Sequence, residues 1–174
     1  QVKKACSIIS KAKRPLFLLG GGVSISGAND LMMKLVEKTG IPAVTTLMGK
    51  GAIDSLHPLY LGNIGIHGGY APNVALTDCD VLISIGTRLN DRITDKLSTF
   101  AQHCKIIHID VDAASISKTI KVDIPIVADA KLAIEQLLEY IEPHALSAWP
   151  EQLQQLKPER PVPPANDEGL TPQT

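Results

Sequence analysis

The sequence predicts a three-layer α/β domain with a mostly parallel sheet of about five or six strands and helices on both faces. Short apolar runs alternate along the chain with amphipathic stretches at helical spacing, an order typical of repeated strand–helix–strand units. The runs are apolar at consecutive positions, as expected for parallel strands that are buried on both faces. Together these two observations indicate a Rossmann-like fold.

The first part of the chain contains two predicted helices and two predicted strands. Apolar residues at helical spacing predict a helix over residues 2–12. The apolar run 16–19 is the first predicted strand, and three glycines at positions 20–22 follow it directly. A second helix is predicted over 27–39 and a second strand over 42–46.

The second part of the chain continues the alternation. The apolar runs 81–85 and 105–109 predict two further buried strands. The run 124–127 contains a proline, which has no N–H to donate to a neighbour, so we expect this strand at an edge of the sheet. Helices are predicted over 71–78 and 130–141 from the spacing of their apolar residues.

Proline is concentrated at the end of the chain, where seven of the twelve prolines lie in residues 143–174. A short helix is predicted near 147–156, and the residues after it have the composition of an extended linker. We therefore expect a folded domain over 1–142 and a Pro-rich linker over 143–174 that leads to a further domain. The first residue is Gln rather than Met, which also favours a piece of a longer protein.

The composition limits the kinds of partner that the protein can bind and the compartment in which it is expected. A net charge of −1 provides no basic surface for nucleic acid or an anionic membrane, and no stretch reaches the roughly 18 apolar residues of a membrane span. The cysteines at positions 6, 79 and 104 are too widely spaced to predict a disulfide framework or a metal site. We expect reduced, buried thiols and a cytoplasmic location.

Glycines and threonines stand at the carboxyl ends of the first two predicted strands, where open parallel sheets bind their ligands. The glycines at 20–22 either form only a tight turn or let a phosphate approach the N-terminus of the next helix. The dinucleotide fingerprint is incomplete, because Ile25 occupies the third glycine position. Thr45 and Thr46 stand where an acidic residue would bind the ribose of NAD, which argues against a dehydrogenase.

Two arginines follow the third predicted buried strand, in the run Gly86-Thr87-Arg88 and at Arg92. A guanidinium at a strand's carboxyl end can bind a phosphate through two hydrogen bonds. The spacing equally allows salt bridges to Asp91 or Asp95. The sequence leaves both alternatives open.

Two aspartates and one histidine are further candidates. Asp110 ends a predicted strand, where it either accepts hydrogen bonds from a ribose or an adenine amine or caps a helix over 113–118. Asp129 is similarly placed for a ligand or for the N-cap of the helix at 130–141. Of the five histidines, only His67, in a glycine-rich loop, is expected near a ligand. No metal-ligand cluster and no nucleophile–base pair is predicted.

Several motifs, in this order, resemble the central domain of acetolactate synthase (acetohydroxyacid synthase) large subunits, over about residues 13–141. The motifs are Thr45-Thr46-Leu47-Met48-Gly49-Lys50-Gly51-Ala52, His57-Pro58-Leu59, Leu61-Gly62-Asn63-Ile64-Gly65-Ile66-His67-Gly68, Asn73-Val74-Ala75, Asp80-Val81-Leu82-Ile83-Ser84-Ile85-Gly86-Thr87-Arg88, Asp91-Arg92-Ile93-Thr94, Ile106-Ile107-His108-Ile109-Asp110-Val111-Asp112 and Pro125-Ile126-Val127-Ala128-Asp129.

The resemblance implies a transferase that uses thiamine diphosphate (thiamine pyrophosphate) and magnesium to decarboxylate pyruvate and join the product to a second 2-keto acid. This reaction belongs to branched-chain amino acid biosynthesis. The central domain of such enzymes holds FAD without using it for net redox chemistry. The resemblance also implies two further domains in the same chain, a homodimer or tetramer, and in some members a regulatory subunit.

The resemblance assigns cofactor-binding residues by position and no catalytic residue. Those expected around the flavin and its pyrophosphate are Gly20, Gly21, Gly22, Thr46, Leu47, Met48, Gly65, His67, Gly68, Gly86, Arg88 and Arg92. Those expected at the adenosine end are Asp110, Val111, Asp129 and Ala130.

The chain also departs from the family pattern. Where the family usually has Arg-Phe-Asp-Asp-Arg-Val-Thr-Gly, residues 88–95 read Arg-Leu-Asn-Asp-Arg-Ile-Thr-Asp, so both arginines are kept. The Gly-Asp-Gly motif that holds the magnesium of thiamine diphosphate does not occur, and the chain alone is expected to be inactive. The alternatives are a central domain of another thiamine-diphosphate carboligase or decarboxylase, binding ADP or no ligand, and a free-standing nucleotide-binding module.

Overall fold

A six-stranded parallel sheet forms the centre of the part of the chain that the structure describes. The structure is a computed structural model, and it describes residues 1–89, 103–118, 120–143 and 148–157. The strand order in the sheet is β3-β2-β1-β4-β5-β6. The strands are β1 Pro15–Leu19, β2 Ala43–Thr45, β3 Tyr60–Asn63, β4 Val81–Ile85, β5 Lys105–Asp110 and β6 Ile124–Val127.

Helices cover both faces of this sheet, as the sequence predicts for buried parallel strands. One face packs against α1, α3 and α5, and the other against α4 and α6. None of the helices in the described ranges is long and apolar enough to cross a membrane. The helices are α1 Val2–Ile9, α2 Gly21–Ile25, α3 Asn29–Thr39, α4 Tyr70–Asp78, α5 Ala130–Tyr140 and α6 Trp149–Gln155.

Strand β1 illustrates why the strands lack an alternating pattern. Phe17 and Leu19 are buried in the cluster beneath α1, α3 and α5, whereas Leu16 and Leu18 are buried in the cluster beneath α4 and α6. Side chains of a strand point alternately to opposite faces, so a strand with two covered faces must be apolar at every position. The predicted three-layer, Rossmann-like fold class is therefore confirmed.

The sequence did not predict two elements that the structure contains. All five predicted strands are present, and the proline-containing β6 lies at an edge, as expected. The sequence analysis missed β3, which contains Gly62 at a positive φ of 121° and ends at the polar Asn63. It also missed α2, a short helix that starts inside the triple glycine at Gly21.

The three cysteines are free and buried, as expected from the composition. The fold brings Cys79 and Cys104 together, with their Sγ atoms 3.6 Å apart, because both residues stand just before neighbouring strands. Hydrogen bonding to Cys104 and burial raise the pKa of the Cys79 thiol well above its ordinary value. The protonated thiol is the unreactive form, so this pair acts as part of the apolar core.

The last described segment, α6, packs against the core. Trp149 and Leu153 are buried in the cluster that also contains Leu16 and Leu18 of β1. The indole Nε1–H of Trp149 donates to the carbonyl of Pro15 at 3.1 Å. The core thus includes a helix from the interval 143–174, which the sequence analysis assigned to a linker; the division at residue 142 otherwise stays a prediction.

Candidate functional site

The parallel register brings four strand ends to one edge of the sheet. Leu19, the last residue of β1, pairs with Thr45 of β2 and with Ile85 of β4. Ile85 pairs in turn with Ile109 of β5. The segments that follow these strands therefore leave the sheet side by side, and we call this edge the carboxyl edge. It carries the predicted site residues at 20–22, 46–48, 86–88 and 110–111.

The centre of the carboxyl edge lies between β1 and β4. From β1 the chain proceeds to β2 and β3 on one side, and from β4 to β5 and β6 on the other. The connections diverge at this point, and such divergence opens a crevice that α/β proteins use for ligands. Gly20 follows β1 and Gly86 follows β4, so these two glycines flank the crevice.

The two strand ends at the crevice are hydrogen-bonded to each other. Gly20 N–H donates to the carbonyl of Ile85, and Gly22 N–H donates to the carbonyl of Gly86, each at 2.9 Å. A Cβ on Gly20 would lie 2.2 Å from the Gly86 oxygen, so no side chain fits there. The tight-turn interpretation of the triple glycine thus has a structural basis, and Gly21 is its half-exposed middle member.

The segment after β2 presents two apolar side chains to solvent. A 3-10 turn over Leu47–Gly49 is capped by Thr46, whose Oγ1 accepts from the Gly49 N–H at 3.1 Å. With the cap in this position, Leu47 and Met48 are 77% and 78% exposed. Single exposed apolar side chains are common on protein surfaces, but adjacent ones form a patch that can contact a ligand or another chain.

The loop after β3 is held by Asn73 of α4. Asn73 Oδ1 accepts from the Gly65 N–H, and its Nδ2 donates to the Gly65 carbonyl, both at 3.0 Å. Gly68 lies in the same loop, and its N–H donates to the Gly65 carbonyl. Ile66 and His67 are both exposed at the tip of the loop. The sequence motif around His67 therefore encodes a fixed loop rather than a free one.

A hydrogen-bonded group of three side chains, which the sequence analysis did not identify, links β2 to β3. Thr45 Oγ1 donates to Asn63 Oδ1 at 2.7 Å, and the Tyr60 hydroxyl donates to the same oxygen at 2.9 Å. Thr45 is fully buried. This threonine, which stands where a dehydrogenase would have its acidic residue, therefore has a structural role inside the sheet.

Four exposed apolar side chains occupy the ends of three strands. Val111 follows β5 and is 74% exposed, much like Ile66 after β3 and the pair Leu47 and Met48 after β2. We call these four residues the apolar rim. Its position at the carboxyl edge gives that edge a surface suited to a flat, apolar ligand group or to another protein segment.

Arg88 is a positively charged residue of the carboxyl edge, as is Lys50 after the 3-10 turn that follows β2. The Arg88 side chain is exposed and forms no ion pair with any of the described residues. Arg88 interacts electrostatically with Asp112. The pKa of Asp112 is lowered mainly by hydrogen bonds from Ser115 and the Ala114 N–H, and to a smaller degree by the charge of Arg88. Arg92, Asp91 and Asp95 lie outside the described residues.

The two aspartates that the resemblance assigns to an adenosine end form hydrogen bonds with the backbone. Asp110 Oδ1 accepts from the Asp112 N–H at 2.9 Å, and Asp112 is the N-cap of a 3-10 turn over Ala113–Ser115. The predicted cap function therefore falls on Asp112, and the helix expected over 113–118 is only this short turn. Asp129 Oδ1 accepts from the Lys131 N–H at 2.9 Å as the N-cap of α5.

Ala130 has its side chain in the core, so any contact it makes with a ligand must come from its backbone.

The structure brings together the predicted residues after β1, β2, β4 and β5 at one edge. The residues at 129 and 130 follow β6, which is the outermost strand on the β5 side. Among the described residues, no group of three or more His, Cys, Asp or Glu side chains is placed to hold a metal ion.

The strand order, the crevice between β1 and β4 and the exposed carboxyl edge define a Rossmann-like α/β domain with an open ligand edge. The chain belongs to the family of thiamine pyrophosphate enzyme central domains, which it matches over residues 2–137.

Proteins with acetolactate synthase names are similar to most of the chain. It is 53% identical over 142 residues to a probable acetolactate synthase large subunit of Methanococcus aeolicus, covering 82% of this chain and 24% of that relative. It is 48% identical over 160 residues to the protein of the same name from Methanocaldococcus jannaschii, covering 90% and 27%. It is 44% identical over 141 residues to an acetolactate synthase of Mycobacterium avium, covering 81% and 23%. The chain thus spans about a quarter of the length of these relatives.

Proposed function

We propose that this chain is the FAD-binding central domain of an acetolactate synthase large subunit. The observation that carries the proposal is the carboxyl edge, where a glycine turn, an exposed arginine with no ion pair among the described residues and the apolar rim lie on neighbouring strand ends. A flavin dinucleotide consists of a flat apolar ring system, a pyrophosphate and an adenosine. The apolar rim suits the ring system, and the glycine turn and the arginine suit the pyrophosphate. The relatives of the chain support the choice of enzyme.

The residues present fit FAD in chemistry. Arg88 supplies a guanidinium that forms no ion pair within the described ranges, and this group binds a pyrophosphate with charge-assisted hydrogen bonds. Leu47 and Met48 supply exposed apolar surface for the isoalloxazine ring. The point between β1 and β4 where the chain connections diverge lies where Rossmann-like sheets place a pyrophosphate. Arg92 is proposed as a second phosphate ligand from the sequence motif alone.

In this proposal, the groups that catalyse the reaction of the whole enzyme lie outside this chain. Thiamine diphosphate with magnesium supplies the carbanion that joins pyruvate to a second 2-keto acid. The residues described here bind and orient FAD and provide no acid, base or nucleophile for that reaction. The proposed partners are the other domains of the same large subunit, and further copies of that subunit, against the apolar rim and the sheet edges.

A second candidate is a central domain that binds ADP or no nucleotide. It is favoured by the direct contact between Gly20 and Gly86, because glycines that are needed for backbone packing need no ligand to explain them. A titration of the purified chain with FAD, ADP and NAD separates the candidates. FAD binding stronger than that of ADP or NAD supports the proposal. Binding of ADP alone, or of none of the three, supports the second candidate.

Replacing Arg88 with alanine tests the proposed phosphate contact. A charge-assisted hydrogen bond contributes about 1.5–3 kcal/mol, so we expect Arg88→Ala to weaken FAD binding by roughly 10- to 100-fold. Isothermal titration calorimetry of both proteins measures this ratio. Because the arginine is exposed, the melting temperature should stay within a few degrees of the unmodified protein.

A matched control removes one positive charge from the opposite edge of the sheet. Lys105 is exposed at the start of β5, away from the carboxyl edge. Lys105→Ala should leave FAD affinity within about twofold, because exposed charges at such distances are screened by salt. Equal losses in the two variants would mean that net charge, rather than a contact from Arg88, governs binding.

A further inference from the structure

A buried histidine lies directly behind the turn that presents Arg88. His108 is in β5, pairs in register with Ser84 of β4, and has no exposed surface. Its Nε2 lies 2.8 Å from the carbonyl oxygen of Thr87, the residue before Arg88. A carbonyl only accepts hydrogen bonds, so Nε2 must carry the proton and donate it.

The hydrogen bond from His108 links the chain to β5 beyond the end of β4. The last backbone bond from β4 to β5 in this region joins the Gly86 N–H to the Ile109 carbonyl at 2.9 Å. The chain then turns at Gly86, which has a positive φ of 61°, and no backbone N–H of the described residues bonds to the Thr87 carbonyl. A buried carbonyl needs a donor, and the imidazole supplies it from the neighbouring strand.

The other polar atoms around the imidazole do not determine its orientation. Within the part of the chain that the structure describes, His108 Nδ1 has no hydrogen-bond partner, and neither does the hydroxyl of Ser84. Asp110 Oδ2 lies 3.9 Å from Nε2, which is beyond hydrogen-bonding distance. Burial lowers the pKa of His108, and this effect outweighs the raising effects of the Thr87 hydrogen bond and of Asp110. The ring is therefore a neutral donor whose hydrogen bond, among the described residues, goes to Thr87.

We propose that His108 is a positioning residue that fixes the Thr87–Arg88 peptide and thereby aims the Arg88 guanidinium at the bound pyrophosphate. This inference rests on the proposed function, because the pyrophosphate is that of FAD. The Thr87 carbonyl and the Arg88 nitrogen belong to one planar peptide unit, so a bond to the carbonyl restricts the direction in which the arginine leaves the backbone. A fixed arginine loses less conformational entropy on binding than a free one.

A double-mutant cycle with FAD tests the inference. His108→Leu removes the donor, and we expect it to weaken FAD binding about tenfold. In an Arg88→Ala background the same substitution should have no further effect, because the group on which His108 acts is absent. If instead the two losses multiply, His108 does not act through Arg88 and the inference is overturned.

A conservative variant separates positioning from general stability. Glutamine carries an amide nitrogen the same number of bonds from Cα as His108 Nε2, so His108→Gln should recover most of the FAD affinity. A weak glutamine variant that melts like the unmodified protein would count against the inference. If the leucine variant does not fold, the glutamine variant still tests the inference.

A measurement without FAD distinguishes failure of the inference from failure of the proposed function. Nitrogen-15 NMR of the histidine rings in the ligand-free protein should show His108 neutral with its proton on Nε2. A proton on Nδ1 would overturn the inference whatever the protein binds. If the expected tautomer is present but the unmodified protein does not bind FAD, the proposed function fails, and the inference fails with it.

Discussion

Substituting Gly86 with alanine is expected to lower the free energy of unfolding by about 3 kcal/mol and the melting temperature by roughly 6–12 °C. Two costs add at this position. The φ of 61° is unfavourable for an alanine by about 1–2 kcal/mol. The new Cβ would also lie 2.8 Å from the Gly22 Cα and 3.0 Å from the Val23 nitrogen, which are backbone atoms that cannot rotate away. Thermal and urea unfolding followed by circular dichroism measure the loss.

Gly27 provides a control that separates strain from close contact. Its φ is 65°, almost equal to that of Gly86, but a Cβ on Gly27 would meet nothing within 4 Å. Gly27→Ala should therefore incur the backbone cost alone, about 1 kcal/mol. Similar losses in both variants would show that the two strand ends do not depend on the close approach of Gly86 to Gly22. The position of the crevice would then have another cause.

The fold was predictable to the extent that it depends on local pattern. The run 81–85 is apolar at four of its five positions and the run 105–109 at three, and short, mostly apolar runs of this kind favour strands covered on both faces. Strand β3 escaped prediction because its middle residue, Gly62, has a backbone conformation that glycine alone adopts readily, and its last residue, Asn63, is polar. The hydrogen bond from Thr45 to Asn63 that stabilises it joins two strands and comes from the tertiary structure.

The candidate site was predictable in location but not in detail. Once the strands are parallel, their carboxyl ends must share one edge, so the glycines, Thr46, Arg88 and Asp110 could be grouped from the sequence. The contact between Gly20 and Gly86 could not, because it joins residues that are distant in the chain. The role of His108 was hidden for the same reason. A histidine inside an apolar run was the only available signal.

Trp149 shows where composition gave an incomplete answer about the extent of the domain. Seven prolines in residues 143–174 indicate a linker, yet Trp149 is only 5% exposed and Leu153 only 1%. Lys157, just after α6, donates to the carbonyl of Tyr60 in β3, and burial lowers the pKa of its ammonium group. Local proline content describes the backbone but not the tertiary contacts of the side chains between the prolines.

Trp149→Ala is therefore expected to lower the free energy of unfolding by about 3–5 kcal/mol, because it removes a large buried ring and leaves a cavity. The expected fall in melting temperature is roughly 6–20 °C. Trp149→Phe is the matched control: it keeps an aromatic ring but removes the N–H that donates to Pro15, so about 1–3 kcal/mol should be lost. Differential scanning calorimetry measures both variants.

Deleting residues 148–174 extends the same test to the whole segment. The truncated chain should be destabilised at least as much as Trp149→Ala, because it also loses the buried Leu153. It should expose the apolar surface of β1 and α4 that α6 covers, and so bind a hydrophobic dye that the intact chain does not. If the truncated chain had the same melting temperature as the intact chain, the folded domain would instead end at residue 142, as the proline content predicts. In that case α6 would be a part of the linker that rests on the domain without stabilising it.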